Sequence, residues 1–217
     1  ITGAGAFGLA VSPDGKFAVT ANGGPGRFSL SVLDMSAEPW QIRQLLTKAK
    51  DEKAESEEDD WRSVFMGLAF AEDRKIFASE GNSGRVRSLS VPSGKVQELF
   101  HLNQGQYRDS YSGDLAYDAA RHILYVVDQA NFRVAIFDAR SRKLLASVRT
   151  GRLPFKLALS PDRQRLYVTN IGMFEYKAVP GADAKDAART GLPVSAFGFP
   201  SKDAERSGVR HGSGADR

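Results

Sequence analysis

Cysteine is absent from the 217 residues, which removes disulfides, thiol nucleophiles, cysteine zinc sites and cysteine-ligated clusters from consideration. Histidine is scarce: only His101, His122 and His211 occur, none with a partner at metal-ligand spacing. No apolar run approaches the roughly 18 residues of a membrane-crossing helix, so no membrane span is expected. Charge of one sign is not in excess either. Lys and Arg number 30 against 26 Asp and Glu, a net charge of +4, without the clustered surplus of a nucleic-acid binder, and no nucleic-acid partner is expected. No basic-then-apolar leader precedes Ile1, which leaves two expectations: a leader already removed, or an internal piece of something longer. What is present, 41% hydrophobic and 10% aromatic residues, suits a chain that can bury a core.

The chain repeats itself. Leu9-Ala-Val-Ser-Pro-Asp-Gly-Lys-Phe-Ala-Val-Thr-Ala-Asn22 aligns without gaps on Leu157-Ala-Leu-Ser-Pro-Asp-Arg-Gln-Arg-Leu-Tyr-Val-Thr-Asn170. Weaker copies begin at Leu68-Ala-Phe and Leu115-Ala-Tyr, so the anchors Leu9, Leu68, Leu115 and Leu157 are separated by 59, 47 and 42 residues. A period of about 42 with insertions is that of four-stranded propeller blades.

Each unit reads as four strands. The Leu-Ala segment is the first, small and aliphatic. A turn follows at Ser12-Pro13-Asp14-Gly15 or Ser160-Pro161-Asp162-Arg163, where Asp supplies an acceptor, Pro sets φ, and Gly15 accepts a left-handed conformation. Second strands are expected over 17–21, 76–79, 123–127 and 166–169, third strands over 29–33, 86–91 and 133–137, and fourth strands over 41–46, 96–100 and 144–148. No helical crossovers separate them, which excludes a parallel α/β sheet. The fold class is therefore all-β: propeller blades of four antiparallel strands, about three and a half of them. Open edges would invite aggregation, so the expectation is a fragment of a larger propeller.

Two stretches depart from the repeat. An acidic insertion at about 47–63 includes Lys48–Asp60, net −4, and reads as a solvated surface loop or short helix, or as an acidic loop that binds cations. Trp61 and Arg62 are expected to anchor it back onto the ring. Blades are assigned to 1–176, and 177–217 to an irregular Gly/Pro-rich excursion with a disordered tail.

Tyr167-Val-Thr-Asn170 and the Ser-Pro-Asp-Gly turn resemble the YVTN-repeat (YncE-like) β-propeller family. Longer phrases, Glu80-Gly-Asn-Ser-Gly-Arg-Val, Tyr111-Ser-Gly-Asp-Leu-Ala-Tyr-Asp, Val127-Asp-Gln-Ala-Asn-Phe-Arg-Val and Asn170-Ile-Gly-Met-Phe-Glu-Tyr, are similar to the propeller portion of bacterial proteins fused to an alkaline-phosphatase-type phosphoesterase module. The resemblance implies a seven-bladed ring and a periplasmic or secreted protein. It also implies the remaining blades and a C-terminal phosphoesterase module as partners within one parent chain.

Propeller sites lie over the central channel, on loops entering first strands and leaving second strands. Arg62, Arg108 and Arg152 each precede a first strand. Together they would make a site for a small anionic ligand or glycan, since guanidinium pairs bidentately with carboxylate and phosphate. The alternative is that each braces a neighbouring blade through backbone carbonyls. Asp109, Asn82 and Asn131 stand on the same loops and complete the candidate ligand set. Asp114, Asp128 and Asn170 could collect calcium, although a polar residue closing a strand more often caps its own turn. Otherwise no cofactor is expected. Ser110 and Ser112 have no histidine near them in sequence, nothing resembles a nucleophile elbow, and no catalytic residue is assigned. The leading expectation is a non-catalytic binding and scaffold module. A lactonase-like hydrolase using channel carboxylates and a divalent cation is the alternative, and a redox accessory is disfavoured because no histidine recurs as a haem ligand.

Overall fold

The computed structural model describes residues 5–24 and 28–172. Contacts divide the chain into Ile1–Ile171 and Gly172–Arg217, and the expected excursion at 177–217 lies outside the described residues.

Among the described residues, fourteen strands form four antiparallel sheets in which consecutive strands are neighbours. Blade 1 comprises β1 (Ala6–Val11), β2 (Phe17–Asn22), β3 (Ser29–Asp34) and β4 (Gln41–Leu46). Blade 2 comprises β5 (Leu68–Glu72), β6 (Lys75–Ser79), β7 (Arg85–Ser90) and β8 (Val96–His101). Blade 3 comprises β9 (Ser112–Asp118), β10 (Ile123–Asp128), β11 (Arg133–Asp138) and β12 (Leu144–Arg149). The fourth sheet has β13 (Pro154–Leu159) and β14 (Leu166–Asn170). This is the all-β, bladed architecture expected from the repeat.

The cores lie between blades. Phe17, Val19, Leu30 and Val32 of blade 1 meet Trp61, Val64, Ile76, Ala78 and Leu89 of blade 2 in one buried cluster. Phe77, Val86 and Phe100 of blade 2 meet Leu115, Leu124, Val126 and Phe137 of blade 3 in the next. In β6, Ile76 and Ala78 face blade 1 while Phe77 faces blade 3. Alternation along a strand thus feeds two interfaces, which explains why inner strands read as unbroken apolar runs. Aromatic edges lock the second cluster: Phe77 and Phe100 stand 5.6 Å apart at 85°, Phe100 and Phe137 5.7 Å apart at 78°. Each such buried ring contributes on the order of 1.5–3 kcal/mol through burial alone.

First strands pack too closely for side chains at certain points. A Cβ on Gly67 would lie 2.2 Å from the Gly113 carbonyl oxygen, and one on Gly8 2.1 Å from that of Met66. Gly8 and Gly67, ahead of the Leu-Ala pairs of blades 1 and 2, let adjoining blades approach.

The Ser-Pro-Asp turn works as the sequence suggests. Ser12 Oγ donates to Asp14 at 2.6 Å and accepts the Phe17 N–H at 2.9 Å. Ser160 repeats both bonds, to Asp162 and from the Arg165 N–H. Gly15 has φ +71°, and Arg163 at the matching position has φ 58°, a left-handed conformation that costs a side-chain-bearing residue more than glycine.

The insertion contains no helix. Trp61 is buried in the first core cluster and accepts the Lys48 N–H on its carbonyl at 2.8 Å, so it does pin the loop to the ring.

Candidate ligand cleft

The loops entering β5 and β9 and the turns leaving β2 and β6 converge at one end of blades 1–3. Between blades 1 and 2 they enclose a cleft of about 1100 Å³, lined by Phe7, Phe28, Lys48–Lys50, Asp60, Arg62–Phe65, Glu80–Ser83, Arg85 and Tyr111, among others. A smaller groove of about 540 Å³ runs between β4 and the insertion. Within it Lys48 pairs with both Glu52 and Asp59, and Arg43 and Glu58 complete its charged lining.

The frame of the cleft is a set of buried polar pins. Glu80 closes β6 with 1% exposure. One carboxylate oxygen accepts from Arg87 Nε at 2.6 Å, the other from Arg85 Nε and Ser83 Oγ, each at 3.0 Å. Both arginines then reach into the insertion, Arg85 to the Asp60 carbonyl at 2.6 Å and Arg87 to the Glu58 carbonyl. Burial pulls the Arg87 guanidinium down from its ordinary value, and the charge of Glu80 pulls it back. Blade 3 repeats the device. Asp128 accepts from Arg133 Nε at 2.8 Å, and Arg133 donates to the Leu102 carbonyl at 2.6 Å while lying 3.6 Å over the Tyr107 ring. In blade 1, uncharged partners serve: Asn22 donates to Ser29 and Ser31. A third-strand arginine therefore holds the loop entering its own blade wherever the second strand ends in an acid.

The wall of the cleft is aromatic. Phe7, Phe65 and Tyr111 come from β1 and from the approaches to β5 and β9. Phe65 meets Tyr111 edge-on, 5.0 Å apart at 87°, and Phe7 lies 6.5 Å from Phe65. Phe7 is 63% exposed. Burial raises the Tyr111 pKa, so its hydroxyl stays protonated and able to donate.

Of the residues expected to hold a ligand, the cleft gathers two, Arg62 and Asn82. Arg62 is occupied: Nε donates to Asp60 at 2.5 Å and another nitrogen donates to the Ala49 carbonyl. Its hydrogen bond is the foremost cause holding the Asp60 carboxyl below the usual carboxylate range. Asn82 is exposed on the turn that Gly84 closes by donating to the Gly81 carbonyl at 3.0 Å. Arg108 and Arg152 do not line the cleft, so the three arginines form no common anion site there. Arg108 folds back on the carbonyls of Gly105 and Tyr107 at 2.7 and 2.8 Å, so it meets backbone carbonyls of its own loop rather than of a neighbouring blade. Asp109 is exposed on the same loop at φ 49°. Asn131 ties Asp128 to the Ser110 hydroxyl and the Arg108 carbonyl.

The expected cation ligands are apart and in other use. Asp114 accepts the Leu157 N–H at 2.9 Å and pairs with Lys156 at 3.5 Å, joining β9 to β13. Asp128 is the blade 3 pin and also caps its turn, accepting the Tyr111 and Asn131 N–H groups. Asn170 is exposed at the end of β14. Among the described residues, no group of three or more His, Asp or Glu is placed to hold a metal ion.

Sequence reasoning missed Glu80, Arg85, Arg87 and Arg133, and missed the aromatic wall. A signal existed for both: Arg-Val opens β7 and β11, and an aromatic stands shortly before each anchor, as Phe7, Phe65, Tyr111 and Phe155.

No family model and no curated protein matches the chain. Solved structures do. A functionally unknown protein from Desulfotomaculum acetoxidans aligns with a TM-score of 0.56 at 17% identity, over 76% of this chain and 49% of that one. Hydrazine synthase from Kuenenia stuttgartiensis aligns with a TM-score of 0.56 at 19% identity, over 75% and 55%. The chain spans about half the length of each, and at these identities the likeness establishes the fold alone: consecutive blades of a β-propeller.

Proposed function

We propose that this chain is a non-catalytic binding and scaffold module, part of the ring of a larger exported bacterial protein of the YVTN-repeat type. Its channel-face loops serve a small anionic ligand, a glycan or an adjoining phosphoesterase module. The observation that carries the reading is the cleft between blades 1 and 2, where four cationic side chains and two carboxylates stand beside an aromatic wall on arginine-braced loops. A braced, preformed site is what binding without turnover requires. The ring reading draws support from blade 1, which exposes Leu9 and Val11 on β1 and Ile42 and Leu46 on β4, 50–68% accessible, with Val11 and Ile42 in line through Ala18 and Leu33. A further blade would cover such a face.

The lactonase-like alternative needs a carboxylate free to act as base or metal ligand. Asp114 and Asp128 are both committed to hydrogen bonds that join blades or close turns, and the third candidate, Asp109, is exposed on its loop and does not line the cleft, which favours the binding reading. The test is turnover of sugar lactones and phosphoesters by the full chain, with and without calcium. No turnover is expected. Hydrolysis that disappears in Asp114→Ala would overturn the binding reading.

A further inference from the structure

The chemistry of the cleft narrows the ligand further. Three of its four cations are already paired: Lys48 with Glu52 and Asp59, Arg62 with Asp60, Arg85 with Glu80. Among the described residues no arginine fork is left open at the cleft, and an open fork is what a phosphate group exploits best. Lys50 differs. It is exposed at the cleft and has no ion pair among the described residues, so one point charge is on offer rather than a bidentate clamp. The same cleft is lined by the exposed Asn82 and by Tyr111, whose hydroxyl stays protonated. The perpendicular rings of Phe65 and Tyr111, with Phe7 beyond them, present an apolar corner.

A ligand matched to this set has a flat apolar face, hydroxyls around its edge and a single negative charge. Resting on the binding reading above, we propose that the cleft takes an oligosaccharide bearing one carboxylate, that of a hexuronic acid residue. A pyranose ring lies against the Phe65–Tyr111 corner, its hydroxyls meet Asn82 and the Tyr111 hydroxyl, and a carboxylate meets Lys50. Pyranose C–H groups suit aromatic faces and edges, while the ring oxygens keep their hydrogen bonds. The volume, about 1100 Å³, lies at the upper end of small-molecule sites, which fits an oligosaccharide rather than one ring.

The test is calorimetric titration of the full chain with a galactose trisaccharide carrying one galacturonic acid residue, the neutral galactose trisaccharide and citrate. The acidic sugar is expected to bind, the neutral sugar about tenfold more weakly and citrate not measurably. Lys50→Gln changes an exposed side chain and leaves the fold alone. It is expected to weaken the acidic sugar about tenfold and the neutral one not at all. Phe65→Leu is expected to weaken both sugars by the same factor. Equal affinity for both sugars, or indifference of the acidic sugar to Lys50→Gln, overturns the carboxylate assignment. Citrate binding that ignores Phe65→Leu overturns the saccharide and leaves the binding-module reading intact. Absence of binding by all three probes overturns the proposal, whereas failure of the broader reading would appear separately, as lactone or phosphoester turnover.

Discussion

Blades 1 and 2 share their strand order, yet they hold the ends of their second strands by opposite means. Blade 1 uses an amide and two hydroxyls, Asn22 with Ser29 and Ser31. Blade 2 buries a carboxylate and two guanidinium groups, Glu80 with Arg85 and Arg87. Burying charge is costly, and a buried pair is weak evidence of added stability. The difference follows from what each pin must reach. The arginines of blade 2 extend to carbonyls in the long insertion, and the single arginine of blade 3 extends to the shorter loop over 102–111. Loop carbonyls outside any ladder need donors, and arginine brings several on one long stem. Charge is placed here for reach.

That comparison can be broken most sharply at Glu80. Glu80→Ala leaves two buried cations without their anion and is expected to cost about 3–5 kcal/mol, read as a loss of denaturant midpoint, together with faster proteolysis within 47–63. Gly67→Ala comes next. Its methyl would press on the Gly113 carbonyl, and the overpacking is expected to cost about 1–3 kcal/mol in chemical denaturation. Asn22→Ala, the counterpart of Glu80→Ala in blade 1, is expected to cost about 1 kcal/mol. If the Asn22 and Glu80 variants melted alike, the two pins would be equivalent and the argument from reach would fail. Arg163→Gly copies the blade 1 turn into the fourth sheet. It relieves a left-handed arginine but gives up the 3.7 Å contact with Asp118, so a gain of under about 1 kcal/mol is expected in thermal melts.

The smallest effect concerns acid. The turn carboxylates Asp14, Asp138 and Asp162 all lie below the ordinary 3.8, held there first by the Ser12 hydroxyl, the Ser141 N–H and the Ser160 hydroxyl respectively. Their folded pKa values are depressed, so the stability they contribute is present above the unfolded value and lost as pH falls through the folded ones. The melting temperature is expected to be flat above about pH 5 and to decline from about pH 4 downward. Asp138→Asn should make that decline shallower. An unchanged acid limb in Asp138→Asn would remove this turn from the account.

Boundaries of the second, third and fourth strands were legible to within a residue, because repetition and period-two alternation are strong local signals, whereas β1, β9 and β13 begin three residues ahead of their Leu-Ala anchors. The turns were legible for the same reason, since Ser-Pro-Asp makes its bonds within five residues. The candidate site was less so. Arg62, Arg108 and Arg152 share a place relative to the strands that follow, and that sharing suggested convergence. Arg62 and Arg108 instead meet carbonyls of nearby loop residues, because irregular backbone leaves acceptors close at hand. Arg85, Arg87 and Arg133 were passed over because arginine at the start of a strand reads as a solvated side chain. Only tertiary packing reduces them to 9% exposure or less. The aromatic wall escaped notice because each ring, taken singly, passes for core.

The alternation in β6 has one more outcome. With Ile76 and Ala78 given to one seam and Phe77 to the other, the strand keeps no idle side. Sliding by a single position would exchange the two sets of guests and spoil both seams together. Blade 2 thus behaves like a double-sided key, whose teeth on either edge must be cut to fit at once.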